Sequence, residues 1–110
     1  MESCNFQTLY TGEDGYVVRC KDCGHYQVAY LCMMVTLDEK GFRSFRKTIR
    51  QHYRNSLQLV NDHCKCVIVP TPAAGTHFLF SRKEIKRLTE LLDEADTEEQ
   101  ALSMLSLFQQ

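Results

Sequence analysis

Residues 26–37 have the sequence YQVAYLCMMVTL, which is apolar on both alternating faces and rich in aromatic and β-branched side chains. Such a run is typical of a central strand that is covered on each side, and not of an edge strand with one polar face. The run is longer than a common strand, so we expect a bend or bulge within it. The core of the protein is therefore predicted to form around this segment.

Further strands are predicted on both sides of this run. Residues 5–10 and 16–20 are rich in strand-forming residues and flank the turn-like TGEDG, which indicates an N-terminal hairpin. Residues 64–70 and 76–80 flank TPAAG and indicate a second hairpin.

Three helices are predicted from N-cap residues followed by apolar residues at helical spacing. Asp38 caps a helix over about residues 39–55. A Ser-x-x-Glu capping box at Ser81 starts a second helix, and a Thr-x-x-Gln pair at Thr97 starts a short last one. The predicted class is α+β, with an antiparallel sheet of about five strands in the order β-β-β-α-β-β-α-α and the helices on one face.

The chain of 110 residues predicts a single domain over residues 1–110. Within it, VTLDEKGFRSFRKTI aligns with FLFSRKEIKRLTELL at an offset of 43 residues. Any strand followed by a capped amphipathic helix has a similar pattern, so duplication and convergence both explain this weak internal repeat.

The six cysteines are interpreted from the predicted compartment. The N-terminus has no basic segment followed by an apolar stretch, and no segment has the roughly 20 apolar residues of a spanning helix. We therefore expect a cytoplasmic protein that does not enter a membrane. A reducing compartment disfavours structural disulfides and favours free thiols, metal ligands or redox chemistry.

A zinc site is predicted from two cysteine clusters. Cys20 and Cys23 are followed directly by Gly24, whose backbone freedom lets amides of the turn point back at the sulfurs. A structural Zn²⁺ takes four ligands, and the second cluster is HCKC at residues 63–66. Ordinary buried thiols and a redox pair at Cys20 and Cys23 are the alternatives. The predicted metal ligands are Cys20, Cys23, Cys66 and either Cys64 or His63.

A basic stripe is predicted on one face of the first helix, formed by Arg43, Lys47, Arg50 and Arg54. Such a stripe beside a zinc knuckle suggests contacts with nucleic-acid phosphates. A solvated face, or pairing with the acidic residues after Arg87, explains the stripe as well. The net charge of −1 does not favour a polyanionic partner.

The stretch CKDCGHYQVAYLCMMVTLDEKGF resembles a group of small uncharacterised bacterial proteins classed as a domain of unknown function. In that group a Cys-x-x-Cys-Gly turn leads into an aromatic-Gln-aliphatic-Ala-aromatic strand and then a helix with an acidic cap. The chain has Leu31 and Cys32 where the family pattern has a Gly-Asn pair. The resemblance covers about a fifth of the chain, implies a similar architecture and leaves the function open. The matching positions are Cys20, Cys23, Gly24, Tyr26, Gln27, Val28, Ala29 and Tyr30.

From these observations we predict a small cytoplasmic binding or adaptor module for an unknown protein partner, stabilised by a structural Zn²⁺. Catalysis is not expected, because the chain has no nucleophile-elbow or phosphate-loop pattern. A nucleic-acid-binding module and a thiol-redox protein are the alternatives. Apolar residues on more than one side of the last helix are explained by a homodimer or by docking on the same subunit. These residues are Leu102, Leu107 and Phe108.

Overall fold

A computed structural model describes residues 5–59, 61–71 and 73–108. These residues form six strands and two helices. Strands β1 to β4 make one antiparallel sheet in chain order, and β5 pairs with β6 in a separate antiparallel sheet. The α+β class is confirmed, with the described strands in two sheets instead of one. The elements are β1 (Phe6–Gly12), β2 (Gly15–Cys20), β3 (Tyr26–Tyr30), β4 (Met33–Leu37), α1 (Glu39–Ser56), β5 (Val67–Pro70), β6 (His77–Phe80) and α2 (Arg82–Phe108).

The chain divides into two compact units of opposite charge. The basic unit, Ser44–Glu90, contains nine Lys and Arg against three Asp and Glu, a net charge of +6. The acidic unit, Met1–Arg43 with Leu91–Gln110, contains four Lys and Arg against eleven Asp and Glu, a net charge of −7. The overall charge of −1 therefore hides a strong separation of charge along the chain. The single domain predicted over residues 1–110 stays a prediction.

The run at residues 26–37 forms a hairpin, so the expectation of one long bent strand is wrong. β3 and β4 pair from Tyr26 with Leu37 to Tyr30 with Met33, which leaves Leu31 and Cys32 as a two-residue turn. Leu31 has a φ of 54°, in the left-handed region that costs an ordinary residue about 1 kcal/mol. The two strands that this turn connects form five cross-strand residue pairs, which offset that cost.

The core of the acidic unit is formed by apolar side chains of the four-stranded sheet and by buried residues of the two helices. Tyr26 stacks on Phe42, with ring centroids 4.2 Å apart and an interplanar angle of 3°. Gly15 is needed where β2 approaches β3, because a Cβ there would collide with the carbonyl oxygen of Ala29. The buried residues of this unit are Leu9, Val17, Cys20, Tyr26, Val28, Tyr30, Phe42, Leu91, Leu92 and Ala95.

Both helices begin at the predicted caps. The Asp38 carboxylate accepts a hydrogen bond from the Gly41 amide at 2.7 Å. At the start of α2, the Glu84 amide donates to Ser81 Oγ at 3.1 Å, and the Ser81 amide donates to Glu84 Oε1 at 2.9 Å. The capping box predicted at Ser81 is therefore present in its reciprocal form.

α2 runs without a break to Phe108, so the separate last helix predicted from Thr97 is wrong. Residues 82–108 contain no Gly or Pro to end the helix. Ala95 is fully buried and continues the apolar stripe across the expected turn. Gln100, expected to cap a new helix, instead donates to Asp96 Oδ2 one turn earlier, at 2.8 Å.

The basic unit has its own apolar core. Along β5, buried and exposed residues alternate, as in a strand with one covered face. The order of hairpin, N-cap and helix occurs twice, as β3–β4–α1 and β5–β6–α2, in agreement with the weak repeat. In the described ranges, no helix combines the length and apolar character needed to cross a membrane. The buried apolar residues of this unit are Ile49, Val67, Val69, Phe80, Ile85 and Leu88.

Candidate functional site

The predicted Cys-x-x-Cys-Gly turn follows β2 directly. The Cys23 amide lies 3.4 Å from Cys20 Sγ and donates to it, and the Gly24 amide donates to the Cys20 carbonyl at 2.9 Å. Gly24 has a φ of 79°, which favours glycine. The turn thus directs a backbone amide at a sulfur, as expected. Cys20 is buried, and Cys23 is exposed with a free thiol.

The second cysteine cluster lies in the basic unit. Cys64 and Cys66 precede β5 and form a disulfide with each other, with their Cα atoms 5.3 Å apart. This bond differs from the reduced thiols that we expected from the sequence. The neighbouring His63 is exposed, and its amide donates to Asn61 Oδ1 at 2.8 Å.

The predicted zinc ligands therefore lie in two units, with Cys20 and Cys23 in the acidic unit and the HCKC cluster in the basic unit. In the first cluster the Cys23 amide meets Cys20 Sγ, and in the second Cys64 is bonded to Cys66. Within residues 5–59, 61–71 and 73–108, no three His, Cys, Asp or Glu side chains form a group that could hold a metal ion. The zinc site stays a prediction.

The four residues of the predicted basic stripe all lie on α1 but differ in their surroundings. Arg43, at the edge of the acidic unit, forms an ion pair with Glu39 one turn earlier. Arg50 is half-buried and interacts with other groups of the protein. Lys47 and Arg54 are exposed and have no ion pair to a described residue. The positive charge offered to solvent by the stripe therefore comes mainly from Lys47 and Arg54.

A second group of cations lies at the start of α2, in the segment RKEIKR at residues 82–87. These residues are not among the predicted site residues, although four cations in six positions are a signal that the sequence shows. Lys83 and Lys86 are exposed and line a cavity of about 420 Å³ together with Tyr53 of α1 and His63. The cavity thus joins α1, the following loop and α2 within the basic unit.

The acidic unit contains a partly buried polar cluster of three residues from different elements. The Tyr26 hydroxyl donates to Glu99, at 2.7 Å from Oε1 and 2.8 Å from Oε2. Arg19 pairs with the same carboxylate and lies over the Tyr26 ring, 4.8 Å from its centroid. A weaker contact of 3.5 Å joins Arg19 to Glu39.

The pKa values of Tyr26 and Arg19 are both raised in this cluster. Burial raises the pKa of Tyr26 well above its ordinary value, and the hydrogen bond to Glu99 raises it further. Burial works against the charge of Arg19, but the hydrogen bond to Glu99 outweighs it and the pKa of Arg19 is raised. The cluster holds a neutral tyrosine beside a paired carboxylate and joins β2, β3 and α2.

The C-terminal turns of α2 expose apolar side chains. Met104, Leu105, Leu107 and Phe108 are more than half exposed, and Phe108 reaches 83%. Leu102, Leu107 and Phe108 were expected to be covered by a second copy or by docking on the same subunit, and in the described chain Leu102 is half-buried while the other two are exposed. The homodimer stays a prediction.

Comparisons with known proteins assign the chain to a family but assign it no function. No curated protein and no solved structure matches it. The model of a family of unknown function, DUF6686, matches residues 1–109. This match agrees with the uncharacterised domain that the cysteine turn and the following strand resemble. The chain belongs to the DUF6686 family of unknown function.

Proposed function

We propose that the protein is a non-catalytic binding module that binds nucleic acid through its basic unit. The observation that carries this proposal is the net charge of +6 over residues 44–90. Clustered positive charge on one compact unit attracts phosphates and releases their counterions on binding.

The three acidic residues of the basic unit are already counted in this net charge, and each forms an ion pair with a cation of the same unit. Asp62 pairs with Arg82, Glu84 with Lys65 and Glu90 with Arg87. Four exposed cations on the two helices have no hydrogen bond or ion pair from their side chains to the described part of the chain. We call them the basic surface: Lys47, Arg54, Lys83 and Lys86.

Aromatic rings beside the basic surface favour nucleic acid over an acidic protein. Tyr53 precedes Arg54 on α1 and lines the same cavity as Lys83 and Lys86, and His63 lines it too. Proteins that bind single strands combine backbone-neutralising cations with rings on which bases stack. An acidic peptide would use the charge but would have no need of the rings.

Fluorescence anisotropy with a labelled single-stranded RNA of about 16 nucleotides tests this proposal. If the four cations of the basic surface each neutralise one phosphate, log K falls with log[salt] at a slope of about −3, or about 50-fold between 50 and 200 mM salt. The double variant K47E/R54E should reduce the slope to about −1.4 and lower the affinity at least tenfold, about 1.4 kcal/mol.

The matched control is K21E/K40E, which makes the same change of charge at two exposed lysines of the acidic unit. It should leave the affinity and the slope near those of the wild type. Equal losses in both variants would show that only net charge matters and would overturn the proposal. Salt-sensitive self-association without RNA binding would instead assign the basic surface to the acidic unit of a second copy.

A further inference from the structure

The cavity in the basic unit is lined by residues from three segments of the chain. Its volume of about 420 Å³ falls within the range of roughly 300–1,000 Å³ that is typical of ligand sites. It lies between the end of α1, the loop that follows and the first turns of α2. The lining residues are Tyr53, Leu57, Asp62, His63, Arg82, Lys83 and Lys86.

Arg82 holds the loop wall in place. Its Nη1 donates to the carbonyls of Leu57 at 3.2 Å and Leu59 at 2.6 Å, while Nη2 pairs with Asp62. The Lys83 amide also donates to the Asp62 carbonyl at 3.3 Å. Because Arg82 and Asp62 neutralise each other, they shape the cavity without adding to its net charge.

The net positive charge of the cavity comes from Lys83 and Lys86. They lie three positions apart on α2, so both side chains extend from the same face, about 4.5 Å apart along the helix axis. Neither ammonium group has an ion pair among the described residues. Two flexible cations this close together can approach one tetrahedral anion from two directions.

The backbone amides of Ser81 and Glu84 at the start of α2 are not offered to an anion, because the capping box already binds them. Ser81 Oγ accepts the Glu84 amide, and Glu84 accepts the Ser81 amide and the Lys65 ammonium. The carboxylate of Glu84 is thus held by its own partners. The lysine side chains remain as the groups that would bind an anion.

We propose that this cavity binds the terminal phosphate of a nucleic-acid strand, with Lys83 and Lys86 on the phosphate and Tyr53 beside the terminal nucleotide. This inference rests on the proposed function and names the part of the ligand that the cavity takes. A terminal phosphate monoester carries about two negative charges, whereas an internal diester carries one, so it suits two ammonium groups in one concave site. Tyr53 lines the same cavity as the two lysines, so its ring would be the stacking surface for the attached nucleotide.

The test compares three RNAs of one sequence that carry a 5′-phosphate, a 3′-phosphate or no terminal phosphate. We expect the wild type to bind one of the phosphorylated strands about tenfold more tightly than the unphosphorylated strand. K83A/K86A should abolish this preference, and it keeps the helix because alanine is the best helix former at exposed positions. K47A/R54A, the matched control on α1, should weaken binding of all three strands equally and keep the preference.

Two results would overturn the inference while the proposed function stands: the wild type binds all three strands equally, or the preference survives in K83A/K86A. Titration with inorganic phosphate, followed by NMR of the backbone amides, separates failure of the function from failure of the site. Shifts confined to residues 63, 83 and 86, without RNA binding by the wild type, would keep a phosphate site and reject the nucleic-acid function. No such shifts and no terminal preference would reject the site.

Discussion

Replacement of Tyr26 by Phe tests the physical account of the polar cluster in the acidic unit. The Tyr26 ring is only 1% exposed and stacks on Phe42, and its hydroxyl donates to both oxygens of Glu99. Tyr26→Phe keeps the ring and removes only the hydroxyl. The change in stability therefore measures the connection between β3 and α2 and not the loss of apolar packing.

The expected loss is about 1.5–2 kcal/mol in the free energy of unfolding. A hydrogen bond to a charged group contributes about 1.5–3 kcal/mol, and we take the lower part of this range because Glu99 keeps its ion pair with Arg19. For a chain of this size, each kcal/mol lowers Tm by about 4 °C, so the variant should melt about 6–8 °C below the wild type.

The pH dependence provides a second readout with a definite sign. The pKa of Tyr26 is raised in the folded protein, so the folded state keeps the proton where the unfolded chain releases it. This contribution to stability is complete below the ordinary tyrosine pKa of 10.0 and is lost as the pH rises above it. The wild type should lose up to about 1.4 kcal/mol for each pH unit above 10 through this residue, and Tyr26→Phe should lack that part of the decline.

Urea denaturation followed by circular dichroism, repeated from pH 7 to the alkaline range, measures both effects. Tyr16→Phe is the matched control, because Tyr16 is 37% exposed and its hydroxyl meets only the sulfur of Met34, at 3.8 Å, among the described contacts. We expect the control to stay within about 0.5 kcal/mol of the wild type. A Tyr26→Phe variant as stable as the control, or one with an unchanged alkaline decline, would refute the reasoning.

Three further predictions concern Gly15, Glu84 and the thiol turn. Gly15→Ala should lower the stability to urea by about 1–3 kcal/mol, because the new Cβ meets the Ala29 carbonyl, and unchanged stability would contradict the close approach of β2 and β3. Burial raises the pKa of Glu84, but the hydrogen bond from the Lys65 ammonium and those of the capping box outweigh it and leave the pKa lowered. Stability from Glu84 is therefore present above its ordinary pKa of 4.5 and is lost as the pH falls through the lower folded value, and Glu84→Gln should flatten this acid limb in thermal melts. If the zinc prediction holds, protein purified reduced and without chelator contains about one zinc per chain by elemental analysis. The Cys23→Ser variant should contain less zinc, because it lacks one ligand. Wild-type protein without zinc would reject the site.

Sequence patterns predicted the local structure where the determining residues are neighbours in the chain. The caps at Asp38 and Ser81 are present because each depends on an amide only three positions away. The turn at Leu31 was missed because neither Leu31 nor Cys32 is a typical turn residue.

The candidate site was predicted only in part, because some of its residues are neighbours in the chain and others meet only in the folded protein. The stripe on α1 follows from helical spacing, so Lys47 and Arg54 were identified, whereas Lys83 and Lys86 gained significance only when the cavity joined them to Tyr53. The disulfide between Cys64 and Cys66 was missed because we expected a reducing compartment, in which such bonds are rare, despite the short spacing of the two residues.

The sequence by itself determined the class of fold, the helix starts at Asp38 and Ser81 and the separation of charge, because these depend on composition and on residues within a few positions of each other. The tertiary structure decided which distant groups meet. Arg19 and Tyr26 reach Glu99 across 80 and 73 residues, and the basic cavity collects side chains from α1, a loop and α2. Such meetings depend on how strands pair and helices pack, and no short-range pattern in the chain encodes them.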